Sequence, residues 1–170
     1  MGAIAFQQII AALETASVRY VVAGGFAVNL HGFLRATQDL DLLIDLDPAN
    51  ATLAMSTLTA FGMQPRVPVP ASDFIDAEKR RDWFENRNMV VFQLVHPKQP
   101  FLSVDVFIRN PIDFDALWKR AMVVQLGATP CRIVGLDDLI AMKAAAGRPV
   151  DLRDIDELRR LALLQKGTSP

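Results

Sequence analysis

The sequence predicts a mixed α/β domain, a short sheet flanked by helices and followed by a C-terminal helical segment. Three observations carry that prediction. Short β-branched runs, such as Val18 to Ala23 and Met89 to Val95, alternate with stretches of helical periodicity. Two pairs of apolar runs are joined by short turn signals, as antiparallel hairpins are. Beyond residue 135 only helical patterns remain, split by Gly147-Arg148-Pro149.

The elements follow in order. Ile4, Ile9, Ala12, Leu13 and Ala16 are spaced as one face of a helix over residues 4–16. Val18 to Ala23 reads as a strand ending in the turn Gly24-Gly25, and Phe26 to Leu34 as a short helix. Gln38 to Leu46 is a second strand, closed by Asp47-Pro48. A helix over 49–61 stops at Gly62. Residues 63–71 carry three prolines and read as a loop or an edge strand, while Ser72 to Arg87 is charged and partly helical. Met89 to Val95 and Phe101 to Ile108 form a hairpin through Pro97 and Pro100. A helix at 113–121 places Trp118 on its apolar side. Met122 to Val134 is a second hairpin around Gly127, and helices at Leu136 to Ala146 and Val150 to Gln165 complete the chain. The expected organisation is a core over 1–135, a helical segment over 136–166 packed on the same domain, and a disordered tail at 167–170.

The totals narrow the class. A chain of 170 residues that is 51% hydrophobic suits one domain with a real core. Its 18 basic and 19 acidic residues leave a net charge of −1, so no global field draws it to nucleic acid or to a membrane. A nucleic-acid partner would need a local patch. The single cysteine, Cys131, lies in a strand-like run and reads as a buried, inert thiol. No signal-peptide pattern opens the sequence, and no apolar run approaches the roughly 20 residues of a membrane span. A reducing, cytoplasmic setting is the expectation.

The stretch TQDLDLLID, Thr37 to Asp45, places two carboxylates inside an apolar run. Residues i and i+2 of a strand share a face, so Asp39 and Asp41 project together while Leu40, Leu42 and Ile44 line the other side. Like charges this close repel unless a cation lies between them. Magnesium, which takes one or two carboxylates together with water and substrate phosphate, suits the spacing. Asp-x-Asp alone also decorates exposed strands. Asp105 interrupts another apolar run, Leu102 to Ile108, in the same way. A strand beside the first would bring it to the same site, where three carboxylates can hold two metal ions. Gly24-Gly25, between strand and helix, allows close approach of a phosphate to backbone N–H groups.

These residues resemble the signature of the minimal nucleotidyltransferase superfamily: Val22-Ala23-Gly24-Gly25-Phe26 through His31-Gly32, then Arg35-x-Thr37-x-Asp39-x-Asp41-Leu42, with Asp105 where that superfamily keeps its third metal ligand. Leu136 to Lys143, followed by Gly147-Arg148-x-x-Asp151-x-x-Asp154-Ile155, is similar to the last motif of the AbiEii-like branch, which includes toxins of type IV toxin–antitoxin systems. The resemblance implies the nucleotidyltransferase fold and magnesium-dependent transfer of a nucleoside monophosphate from a nucleoside triphosphate to an acceptor. For a toxin that acceptor is RNA or tRNA, and a cognate antitoxin would be the partner. A small hydroxylated molecule of the antibiotic type is the alternative, and a non-catalytic nucleotide- or partner-binding module on the same fold is another. Gly24 and Gly25 would hold the triphosphate. Asp39, Asp41 and Asp105 would bind two magnesium ions, with Asp105 helping to activate the acceptor. Lys143 would reach the phosphates, and Asp151 and Asp154 would orient Lys143 or an acceptor group. Many members carry Gly-Ser at the turn. Here the serine hydroxyl is missing, so phosphate binding would rest on backbone N–H groups.

Several residues carry two readings. Arg35 either neutralises phosphate charge in the nucleotide site or is an exposed structural arginine. His31 lies near the cleft or packs beside it, and His96 reads as a turn residue. Lys143 is a phosphate ligand or a solvated lysine. Arg80, Arg81 and Arg87 with Trp83 and Phe84 form a basic–aromatic cluster that would clamp single-stranded RNA, or else an amphipathic helix with a solvated basic face. Arg159-Arg160 reads as plain helix surface.

Overall fold

The structure, a computed structural model, describes residues 2–167. Of the tail expected at 167–170, Gly167 still belongs to the last helix and 168–170 lie outside the described residues. The elements run α1 (Gly2–Thr15), β1 (Tyr20–Val22), α2 (Gly24–Leu30), β2 (Asp39–Ile44), α3 (Pro48–Ala60), β3 (Gln64–Pro65), a 3₁₀ turn (Ala71–Ile75), α4 (Ala77–Arg87), β4 (Val91–His96), β5 (Gln99–Phe107), α5 (Phe114–Arg120), β6 (Met122–Leu126), β7 (Thr129–Ile133), α6 (Leu136–Ala146) and α7 (Pro149–Gly167).

The strands form one seven-stranded mixed sheet in the order β3-β4-β5-β2-β1-β7-β6. Its centre is β2, antiparallel to β1 and parallel to β5. The two expected hairpins, β4/β5 and β6/β7, flank this centre. Alternation along β2 sends Leu40, Leu42 and Ile44 into a fully buried layer, continued by Val104 and Val106 of β5 and by Phe92 and Leu94 of β4. Helix α1 adds Phe6, Ile9, Ile10 and Leu13 to the core. Ile4, expected on that face, is exposed instead.

Helix boundaries follow local chemistry. Asp47 caps α3 by accepting from the Ala49 and Asn50 N–H groups, and Pro48 occupies the first helical position, where its missing N–H is not needed. Asp76 caps α4 in the same way, and Asn88 ends that helix in the left-handed conformation. The turn between α6 and α7 is the most constrained. Gly147, at φ +64°, closes α6 by donating to the Lys143 carbonyl. Arg148 then caps α7, Pro149 opens it, and the Asp151 carboxylate reaches back to accept from the Arg148 N–H at 3.3 Å.

Three differences from the sequence expectation have plain causes. α2 begins at Gly24 rather than Phe26, because Gly24 is already bent to φ +61° and turns the chain straight into the helix. The β4/β5 turn is only Pro97-Lys98; Pro100 lies within β5, close to the strand start where a missing N–H is tolerated. Residues 63–71 match the expectation of a loop or an edge strand, contributing the two-residue strand β3 on the sheet edge and otherwise running as a loop. Arg80 and Trp83 are core residues rather than an RNA clamp. Trp83 stacks on Phe92 with ring centroids 5.2 Å apart, and Arg80 donates to the Phe74 and Ile75 carbonyls. Arg81 and Arg87 are paired with Glu78 and Asp82.

Candidate active site

The parallel register of β2 and β5 decides the site. Asp41 pairs with Asp105, and Asp39 with Ser103, so the three carboxylates share the sheet face opposite the Leu40 layer. They line one cleft of about 360 Å³ together with Gly24, Gly25, Arg35, Lys143 and Asp151. The sequence-predicted residues are therefore gathered in one place, drawn from the α2 turn, two central strands and the two C-terminal helices.

The glycine turn fits against the acids. A Cβ on Gly24 would fall 1.8 Å from Asp41 Oδ2, so the carboxylate occupies the space that a side chain there would take. A Cβ on Gly25 would stand 2.6 Å from Thr37 Oγ1 and 3.0 Å from Arg35 Nη2. The Ala23 N–H donates to the Asp41 carbonyl at 2.9 Å, which locks the turn to β2.

Electrostatics separate the acids. Burial pushes the Asp41 carboxyl up to about 7, reinforced by the neighbouring Asp105 and Asp39 and opposed by Lys143 and Arg148. Burial raises Asp105 too, with Asp39 adding to the effect and a hydrogen bond from Gln93 opposing it. Asp105 Oδ1 is buried without a hydrogen-bond partner. A buried acceptor left in that state ordinarily belongs to a site completed by something further.

Opposite the acids lies an alternating ladder of charges: Arg35, Asp154, Lys143, Asp151, Arg148. Arg35 grips Asp154 with Nε at 2.7 Å and Nη2 at 2.8 Å. Lys143 Nζ bridges Asp154 at 2.8 Å and Asp151 at 3.0 Å. Arg148 Nε donates to Asp151 at 2.7 Å. Both aspartates are fully buried and Lys143 is 5% exposed. Burial alone would raise Asp151, yet the hydrogen bonds and charges of Arg148 and Lys143 hold its carboxyl at about 2. Asp154 is held low in the same manner against its own burial, by Arg35 and Lys143.

Sequence reasoning left Arg148 without a role and, although it expected Asp154 to orient Lys143 or an acceptor group, did not find that Asp154 also anchors Arg35. The signal for the first was the Arg-Pro-x-Asp pattern, which fixes a helix cap and with it the arginine. The second has no local signal, since Arg35 and Asp154 lie 119 residues apart. Asn29 was missed as well: its amide bonds both the N–H and the carbonyl of Arg35. His31 is not among the residues lining the cleft; its Nε2 lies 2.8 Å from the Val134 carbonyl. His96 ends β4 at the turn, as expected. Cys131 is fully buried, and burial, with Glu14, pushes its thiol up to about 12.

No family model matches the sequence, and no curated protein matches it either. Solved structures do match its shape. An antigenic nucleotidyltransferase-like protein from Paracoccidioides brasiliensis superposes with a TM-score of 0.62 at 16% identity, over 94% of this chain and 75% of its own. The lincosamide antibiotic adenylyltransferase LnuA, solved with lincomycin bound, gives 0.62 at 16% identity over 92% of this chain and 96% of its own. This chain has the nucleotidyltransferase fold. The antibiotic-resistance factor ANT(2'')-Ia shares that fold, with a TM-score of 0.58 at 16% identity over 96% of this chain and 83% of its own.

The nucleotidyltransferase fold implies a divalent metal, and the donors present suit one. Among the described residues no three His, Cys, Asp or Glu side chains form a ready metal cage. Magnesium does not require one, since it is bound by one or two carboxylates with water and substrate phosphate completing its shell. Asp39, Asp41 and Asp105 offer only oxygen donors, and the buried, unpartnered Oδ1 of Asp105 is the kind of acceptor a hard cation satisfies.

Proposed function

We propose that the protein is a magnesium-dependent nucleotidyltransferase. The observation that carries this reading is the pairing of Asp41 with Asp105 across parallel strands beside the Gly24 turn. Asp39, Asp41 and Asp105 would hold magnesium, which supplies charge neutralisation at the triphosphate and steadies the leaving group. The Gly24 and Gly25 backbone lines the same cleft and would approach the phosphates there. Arg35 and Lys143 add positive potential on the side facing the acids. An acceptor hydroxyl attacks the α-phosphorus, its proton passes to Asp105, the bond from the α-phosphorus to the bridging oxygen breaks, and pyrophosphate leaves. Catalysis of this kind rests on positioning and electrostatics, which a rigid sheet face provides.

For the acceptor, the C-terminal motif around Lys143, Asp151 and Asp154 supports RNA or tRNA in a toxin-type reaction with a cognate antitoxin as partner. A small hydroxylated acceptor is the second reading. It is favoured by the burial of Arg80 and Trp83, which removes the α4 cluster as an RNA platform, and by the likeness to LnuA and ANT(2'')-Ia.

The test is incubation with each α-labelled nucleoside triphosphate and magnesium, against total RNA and against a panel of aminoglycosides and lincosamides. Label on RNA supports the toxin-type reading, and label on a small molecule supports the second. Asp41→Asn is expected to abolish transfer while leaving the far-ultraviolet circular dichroism of the wild type. Full activity in that variant would refute the assignment.

A further inference from the structure

The ladder opposite the acids ends differently on its two sides. Lys143, at its centre, is 5% exposed, and its ammonium is bound to two fully buried carboxylates. A lysine so held supplies potential, but to touch a ligand it would have to abandon Asp151 or Asp154, leaving a buried carboxylate short of a partner. Arg35 is 22% exposed; two of its nitrogens are committed to Asp154 and the third donates to the Ala36 carbonyl. Arg148 is the exception. Its side chain is 68% exposed, it lines the same cleft as Asp41, and it is anchored by Nε and Nη2 to the buried Asp151.

We infer that Arg148, rather than Lys143, is the side chain that touches the polyphosphate of the bound nucleotide, with Lys143 as the buried keystone that holds Asp151 and so aims it. This deepens the nucleotidyltransferase reading and rests on it. Geometry supplies three reasons. A guanidinium presents five N–H donors in a plane, so one edge can stay on Asp151 while the other meets phosphate oxygens. Arg148 caps α7 between Gly147 and Pro149, and Asp151 accepts from its backbone N–H, so the root of the side chain is fixed even though its tip is open. Arg148 and Arg35 also stand on opposite ends of the ladder, with Arg35 against the Gly25 turn, so a phosphate chain laid along the acids would be gripped from two sides.

The test separates the phosphate subsite from the base by using magnesium tripolyphosphate beside the four magnesium nucleoside triphosphates, with binding measured by isothermal titration calorimetry on the full chain. Arg148→Ala is expected to weaken both classes of ligand by about 10- to 100-fold, the range for loss of a charge-assisted contact. Its melting temperature should stay close to that of the wild type, because Asp151 keeps Lys143. Arg148→Lys should recover only part of the affinity, since one ammonium cannot hold Asp151 and phosphate in the same fork. Wild-type tripolyphosphate affinity in Arg148→Ala overturns the inference while leaving the nucleotidyltransferase reading in place. A wild-type protein that binds neither tripolyphosphate nor any nucleotide overturns both.

Discussion

Lys143 is a buried lysine held between two buried carboxylates. Among the described residues its ammonium is the one that forms ion pairs with both Asp151 and Asp154, and both carboxylates are fully buried. Removing one member of a buried ion network leaves the others uncompensated, at about 3–5 kcal/mol. Lys143→Met is therefore expected to lower the melting temperature on the order of 10 °C for a chain of this size, measured by circular dichroism. A variant that melts with the wild type would show that Arg35 and Arg148 satisfy the two acids unaided. From the sequence, Lys143 looked like a phosphate ligand or a solvated lysine. Neither reading anticipated burial, because the partners that make burial tolerable come from another helix.

Among the elements, α4 gives the sharpest contrast between pattern and place. Its sequence is charged almost throughout, yet it buries Arg80 and Trp83 on one side and leaves Arg81 and Arg87 paired in solvent. The indole stacks on Phe92 of β4, so the helix is pinned to the sheet by one aromatic contact. Trp83→Ala is expected to destabilise the fold by about 3–5 kcal/mol in urea titrations, with nucleotide affinity at 20 °C close to the wild-type value. Loss of nucleotide binding in that folded variant would return α4 to the binding surface. Strand β2 was the most legible element, because the alternation of acid and aliphatic fixes both its conformation and the face each residue takes. Strand β3 was the least legible. Two residues on a sheet edge carry no periodicity, and their pairing with β4 is a tertiary fact.

At the scale of the molecule, most of the fold could be read from its parts, but the sheet order could not. Hairpins announce themselves through short turns, whereas the parallel pairing of β2 with β5 joins strands separated by α3, β3, the 3₁₀ turn, α4 and β4. That pairing sets Asp41 beside Asp105, and for it the sequence offered the coincidence of two interrupted apolar runs and the superfamily resemblance, but no local periodicity. The network around α7 also shapes the response of the whole chain to acid. Asp151 is held at about 2 against an ordinary value of 3.8, and Asp154 is lowered as well. Depressed carboxyls stabilise the fold above their unfolded value and lose that contribution as the pH falls through the folded one. Stability from urea midpoints should therefore drop between about pH 4 and pH 2, and Asp151→Asn should flatten that limb of the profile. An unchanged slope in the variant would place the acid sensitivity elsewhere.

The close approach of Gly25 to Thr37 couples two positions that lie twelve places apart in the chain. A methyl group at 25 would intrude on the Thr37 hydroxyl at 2.6 Å, so the two sites have room for one side chain between them. Substitutions there should be strongly non-additive. Gly25→Ser alone should impair the protein, and Gly25→Ser with Thr37→Ala should recover part of what the single change lost, since the Thr37 Cβ and Arg35 Nη2, each 3.0 Å from a Cβ at 25, remain. A lineage drifting toward serine at the turn would thus have to surrender the threonine first, which makes the order of mutational steps a property of the backbone.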